Sequence, residues 1–188
     1  MRKGSQAVLA AFLLVAFLAG CVQYTLVEPK RQIAMERFSV EPTTSWNRRT
    51  GNNNEQWTKD GIGLQTLMFF GEISDGGTIY KPVGEEKLPT FAANMRANDV
   101  ADLLTATMAT RGLTTGEVEN LQPFAFAHLD GFTFDLAISS DSGGQYKGTG
   151  YGAIDDGKLY LILYTGHAEH YFDKEKDEVD RIVSSLTL

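Results

Sequence analysis

The sequence predicts an α+β fold: a single domain whose mostly antiparallel sheet is covered by helices on both faces, preceded by a cleaved signal peptide. Three observations carry this reading. Strand-like segments follow one another between residues 132 and 164, the last two joined by Asp155-Asp156-Gly157, a strong hairpin turn. The final segment, Lys158 to Tyr164, has Leu159, Leu161 and Leu163 on one side and Tyr160, Ile162 and Tyr164 on the other. Both sides are apolar, so both need cover. Two further stretches carry the helical repeat instead of the strand repeat. With 188 residues, 43% of them hydrophobic and 22% charged, the composition excludes a disordered, collagen-like or polytopic membrane chain.

The chain opens on Arg2 and Lys3, followed by thirteen residues from Ala7 to Ala19 without charge or polar group. As a helix that run would span about 20 Å, too short for a hydrocarbon core of about 30 Å. A basic start, a short apolar run and small residues at its end read as a secretory signal over residues 1–20. Its end, Leu18-Ala19-Gly20-Cys21, closely resembles the lipobox of bacterial lipoprotein precursors. The resemblance implies cleavage between Gly20 and Cys21, a diacylglyceryl thioether on Cys21 and a further acyl chain, such as palmitate, on the new amino terminus. Two or three acyl chains anchor stably where one holds only reversibly. Val22 follows the cysteine where an aspartate would retain a protein at the inner membrane of many Gram-negative bacteria. By that resemblance the expected location is the periplasmic face of the outer membrane. Processing would leave 168 residues with net charge −9. Residues 21–32 read as a lipidated N-terminus and short tether, and residues 33–188 as one domain, large enough to fold without a staple.

Within that domain, Ile33 to Val40 reads as an opening strand stopped by Glu41-Pro42. Thr43 to Glu55 reads as loop, broken at Gly51-Asn52-Asn53-Asn54. Ile62, Leu64, Met68 and Phe70 recur at even spacing, with Leu67 and Phe69 opposite, which predicts a strand. Ser74-Asp75-Gly76-Gly77 turns the chain into a polar loop from Lys81 to Pro89. Val100, Leu103, Leu104, Thr107, Met108 and Arg111 then mark one stripe of a helix, capped by Asn98 or Asp99 or starting as early as Phe91, and stopped at Gly112. Phe132, Phe134, Leu136 and Ile138 alternate with polar or small residues, and Gln145 to Ile154 is a strand rich in Gly and Tyr. Val179, Ile182, Val183 and Leu186 repeat the helix spacing, with Asp173 as cap. This order resembles the PsbP-like fold through Phe38-Ser-Val-Glu-Pro…Trp46, the paired strands ending at Tyr164 and the closing Glu178-to-Leu186 helix. That resemblance implies an accessory or binding protein, not one chemistry.

Candidate chemistry is sparse. Ser140-Asp141-Ser142-Gly143-Gly144 looks like the nucleophile segment of trypsin-like proteases with Ser140 in place of the first Gly, and His128 is the only histidine upstream. No acidic partner stands where that family requires one, and a hairpin loop needs the same small, hydrogen-bonding residues. His167-Ala168-Glu169-His170 offers two imidazoles to a metal but lacks the His-Glu-x-x-His spacing of metalloproteases. Trp46, Arg48, Arg49, Trp57 and Lys59 form an aromatic and basic cluster suited to an anionic ligand, and Tyr146, Tyr151, Tyr160, Tyr164 and Tyr171 could line a groove. The possible ligand surface is therefore Trp46, Arg48, Arg49, Tyr160 and Tyr164. The single cysteine excludes an internal disulfide framework, and net charge −7 argues against nucleic acid as a partner. The expectation is a non-catalytic envelope lipoprotein without cofactor, held to the membrane through Cys21 and serving as a binding or assembly-accessory module in the periplasm, with another envelope protein as candidate partner. The alternative is an envelope hydrolase using Ser142 with His128, or a metal at His167 and His170.

Overall fold

Residues 24–51 and 53–188 are described by a computed structural model. In chain order the strands are β1 Thr25–Val27, β2 Gln32–Ala34, β3 Phe38–Val40, β4 Trp46–Thr50, β5 Glu55–Thr58 and β6 Gln65–Ile73. Helix α1 Ala97–Thr110 follows, then β7 Leu113–Thr115, β8 Glu119–Phe126, β9 Leu129–Ser140, β10 Gln145–Asp155, β11 Lys158–His167 and helix α2 Tyr171–Ser184. No described helix is long and apolar enough to cross a membrane.

The frame is the meander β9–β10–β11. The β10–β11 turn has Asp156 at φ 48° and Gly157 at φ 70°, the two positive angles a two-residue type I′ hairpin requires. On the β9 side, Gly148, Gly150 and Gly152 of β10 face Leu136, Phe134 and Phe132. A Cβ on Gly150 would lie 2.5 Å from the Phe134 ring, so the missing side chains make room for the rings. The complete sheet runs β1-β4-β5-β6-β11-β10-β9-β7, with every ladder antiparallel. β8 also pairs with β9, so β7 and β8 share its outer edge, Leu113–Thr115 opposite Ile138–Ser140 and Glu119–Phe126 opposite Asp135–Leu129. β2 and β3 form a separate two-stranded sheet, and Ser39 of β3 also bridges to Thr187 near the C-terminus.

Two apolar clusters divide the residues of β11 alternately. Leu159, Leu161 and Leu163 pack with Val100, Leu103, Leu104 and Met108 of α1 and with Phe70, Phe134 and Leu136. Tyr160, Ile162 and Tyr164 pack with Val179, Ile182 and Val183 of α2, both tryptophans, Phe69 and Phe38. Full burial of one such aliphatic or aromatic side chain contributes about 1.5–3 kcal/mol, so the six buried residues from Leu159 to Tyr164 make this strand a large contributor to stability. The chain before β4 is tied to α2 by Glu178, which accepts hydrogen bonds from the backbone N–H groups of Thr43 (2.7 Å) and Thr44 (3.0 Å) and from both threonine hydroxyls. Burial pushes the Glu178 carboxyl up, but these bonds and one from Arg181 outweigh it and hold the group below the ordinary carboxylate range.

Several expectations need correction. Residues 33–40 are not one strand but part of a tight hairpin, turned by Met35 (φ 51°) and Glu36 (φ 59°). The supposed loop from Thr43 to Glu55 contains β4, whose polar sequence WNRRT sends only Trp46 into the core. Residues 62–64 precede the strand rather than start it, because β6 begins at Gln65. Phe91 is extended, exchanging hydrogen bonds with Gly76 and Gly77. Helix α1 starts behind Arg96, whose N–H donates to the Asp99 carboxylate at 2.8 Å. Gly112 ends it at φ 74°, as the left-handed stop requires. His170, not Asp173, occupies the N-cap of α2. Finally, the segment read as a tether supplies β1, which pairs Thr25 with Arg48, Leu26 with Asn47 and Val27 with Trp46.

Candidate functional site

At the end of the sheet where β10 begins and β11 finishes, a cavity of about 210 Å³ opens between α1 and the strands. Ile62, Met68, Tyr80, Met108, Leu113, Ile138 and Tyr146 give it an apolar lining, with Ser140 and Thr165 adding hydroxyls. Six separate segments meet here, which is why no local motif announces it. Tyr80 is the fixed point. Its ring meets Phe70 edge-on at 5.0 Å and its hydroxyl donates to Met68 Sδ at 3.5 Å. The Arg111 guanidinium lies 4.6 Å from the Tyr80 ring centroid. Arg111 also holds the Glu86 carboxylate at 3.1 Å and the Lys81 carbonyl at 2.9 Å, so the loop after Tyr80 is clasped to the end of α1. Burial pushes the Tyr80 hydroxyl up to about 12, against the pull of the Arg111 charge. Hydrogen bonds from Arg111, foremost, and from the Val83 N–H hold Glu86 below its ordinary value. Tyr80 is therefore a protonated donor at neutral pH, not a base. The lining includes no carboxylate, imidazole or thiol. Such a space can hold an apolar side chain or short acyl fragment, but it has no acid–base pair with which to act on one.

The residues singled out from the sequence lie elsewhere. Cys21 and Gly20 fall outside the described residues. Ser142 sits on the exposed β9–β10 turn, where its Oγ meets Ser140 Oγ at 2.9 Å. His128 sits on the exposed β8–β9 turn, at the other end of the twelve-residue β9. At about 3.3 Å per residue the two turns stand roughly 35–40 Å apart. Ser142 and His128 therefore cannot share a proton, and they do not form a nucleophile pair. His167 and His170 do share the cavity end, yet their rings engage different partners: Tyr146 at 5.4 Å and Tyr171 at 5.1 Å. Among the described residues no three His, Cys, Asp or Glu side chains gather as a metal would need.

The aromatic and basic cluster also departs from expectation. Trp46 and Trp57 are completely buried, and so is Tyr164, while Tyr160 is 9% exposed. None of these rings can form a ligand surface. Their cationic neighbours are engaged within the protein. Arg48 pairs with the buried Glu55 at 3.5 Å, Arg49 donates to Gln56 at 2.8 Å, and Lys59 pairs with the buried Glu175. The Trp57 indole N–H donates to the same Glu55 at 2.6 Å. Tyr151 donates to Asp180 at 2.6 Å, and the Tyr164 hydroxyl reaches the carbonyls of Tyr171 and Phe172, both at 3.0 Å. Burial foremost raises the pKa of both phenols. Tyr151 and Tyr164 are thus core residues with satisfied tips, Tyr160 is buried beside them, Tyr171 is half-buried and Tyr146 lines the cavity.

The described residues form an α+β domain built on a nine-stranded antiparallel sheet with two helices. No family model matches the chain. No curated protein matches it either. Among solved structures it is similar to the solution structure of cyanobacterial PsbP (CyanoP) from Synechocystis sp. PCC 6803, with 13% identity, a TM-score of 0.43, and 90% of this chain and 95% of that chain covered. A likeness at this identity carries no function.

Proposed function

We propose that this chain is a membrane-anchored cell-envelope lipoprotein, acylated on Cys21 after cleavage behind Gly20, that works without catalysis as a binding or assembly-accessory module at the periplasmic face of the outer membrane. The observation that carries the reading is the position of Cys21. The lipobox Leu18-Ala19-Gly20-Cys21 ends four residues before Thr25, the first residue of the main sheet. A signal peptide, an acylation site and a folded domain then follow one another with almost nothing between. The alternation of β11 between the α1 and α2 clusters supports a sheet with one helix on each face, in the PsbP-like manner. The cavity beside Tyr80 is the ligand-sized space such a module would offer. The separation of Ser142 from His128 counts against the hydrolase alternative.

Mass spectrometry of the native N-terminus tests the anchor. The expected result is a chain beginning at Cys21 with a diacylglyceryl thioether, and incorporation of labelled palmitate that is lost in Cys21→Ser. A first residue other than Cys21, or palmitate incorporation equal in Cys21→Ser, would overturn the reading.

A further inference from the structure

We infer that the sheet edge formed by β1 is the surface laid against phospholipid headgroups, with Tyr24, Leu26 and Ile33 in contact with them. This rests on the acylation of Cys21 proposed above. Two residues, Val22 and Gln23, separate Cys21 from Tyr24, and the three Cα–Cα steps between them reach about 11 Å at full extension. A bilayer of about 40–45 Å with a hydrocarbon core of about 30 Å leaves roughly 5–8 Å of headgroup on each side. A chain acylated at Cys21 therefore cannot carry Tyr24 much beyond the headgroup layer. Because Thr25 to Val27 is already laddered to β4, that limit applies to the whole domain and not to a loose leash.

The side chains at this edge fit the position. Tyr24, Leu26 and Ile33 are 42%, 60% and 53% exposed, so three of the six large hydrophobic side chains exposed among the described residues lie within twelve residues of Cys21. Arg48, opposite Thr25 in the ladder, donates to the Ile33 carbonyl at 3.2 Å and so brings the β2–β3 hairpin alongside β1. Tyrosine with its polar tip and aliphatic neighbours is the mixture that settles at a lipid–water boundary. Charge points the same way. Residues 24–59, which build this edge, hold six basic and four acidic side chains, whereas residues 60–188 hold nine and twenty. An anionic surface attracts the first part and repels the second. The sheet order puts β8 seven strand spacings away, roughly 34 Å at 4.8 Å each.

Cys21 is the only cysteine in the sequence, so once it is acylated Leu26→Cys supplies a single free thiol. The full mature lipoprotein carrying this change would be labelled with an environment-sensitive fluorophore. It would then be reconstituted into phosphatidylcholine–phosphatidylglycerol vesicles containing a headgroup spin label. Ile33→Cys is the second reporter, and Leu121→Cys on β8 is the control. The expected result is loss of most emission at positions 26 and 33 and little loss at 121. Equal quenching at all three positions, or the greatest quenching at 121, would overturn the orientation. So would lipid-silent labels at 26 and 33 on a protein whose mass confirms the thioether; the anchor would then stand without the contact. Lipid silence in vesicles combined with a protein crosslinked through position 26 in intact cells would assign the edge to a protein partner instead. A mass lacking the acyl groups would overturn the anchor itself.

Discussion

Replacing Gly150 by alanine probes the most crowded point of the meander. The added Cβ would stand 2.5, 2.7 and 2.9 Å from three carbons of the Phe134 ring, where unstrained carbon contacts lie near 3.5–4.0 Å. The ring must move about 1 Å, but it is completely buried and shares its cluster with α1, so it can only push into packed neighbours. Overpacking of this kind costs about 1–3 kcal/mol. Against it, alanine restricts the unfolded chain and returns about 0.4–1 kcal/mol. The net expectation is a loss of about 1–2 kcal/mol, lowering Tm by roughly 2–8 °C for a domain of this size. Urea unfolding would read this as a lower midpoint at unchanged slope. Gly63→Ala is the matched control, since a Cβ there meets nothing within 4 Å. Phe134→Leu added to Gly150→Ala should recover part of the loss. If Gly150→Ala proves as stable as Gly63→Ala, the ring is not the reason for the glycine.

Glu178→Gln should cost about 1.5–3 kcal/mol at pH 7, because a buried carboxylate gives up its charge-assisted bonds from Thr43 and Thr44. The folded pKa lies below the unfolded value of 4.5, so the native carboxylate's contribution is complete above 4.5 and disappears as pH falls through the folded value. Urea midpoints at pH 7 and pH 3 should therefore converge between native protein and variant at the acid end. Ser142→Ala and His128→Ala, both on exposed turns, should each shift stability by less than about 0.5 kcal/mol, with double-mutant additivity as the check on their independence. Inserting ten Gly/Ser residues between Gln23 and Tyr24 adds an average reach of about 16–19 Å. On the proposed acylation of Cys21, vesicle binding should survive while lipid quenching at position 26 should fall; undiminished quenching would mean that the edge binds lipid without needing the short leash.

What could be read from the sequence depended on burial from two sides. β11 was legible because an apolar residue at nearly every position from Leu159 to Tyr164 leaves few alternatives to a covered strand, and β10 because Asp156-Gly157, which can hold the two positive φ values, turns it into β11. β1, β4 and β8 carry few core residues and so leave almost no pattern; β8 buries only Phe126. Their place is set by backbone hydrogen bonding to a neighbour, which no side-chain periodicity records. The aromatic and basic cluster misled for a related reason. The acids that engage it are Glu55, which reads as part of a loop, and Glu175, 116 residues beyond Lys59. Nothing at the level of spacing foretold that these charges were already matched. The Tyr80 cavity was illegible because its wall combines single residues from segments that only the finished sheet brings together.

The two open edges of the sheet also differ in what they can accept, and this bears on how a protein partner would dock. β8 runs along the side of the sheet opposite β1, but its backbone is unsuited to pairing with an added strand. Pro123 has no N–H to give, Asn120 is held at φ 52°, and the ladder slips between Glu119 and Gln122. Such features keep an exposed edge from recruiting another chain. A partner meeting this side must therefore bind through side chains, in the groove of about 350 Å³ where Leu121, Pro123 and Phe132 face Met95 and Arg96. With the β1 edge turned to the lipid, that groove would point away from the membrane, toward whatever the module meets.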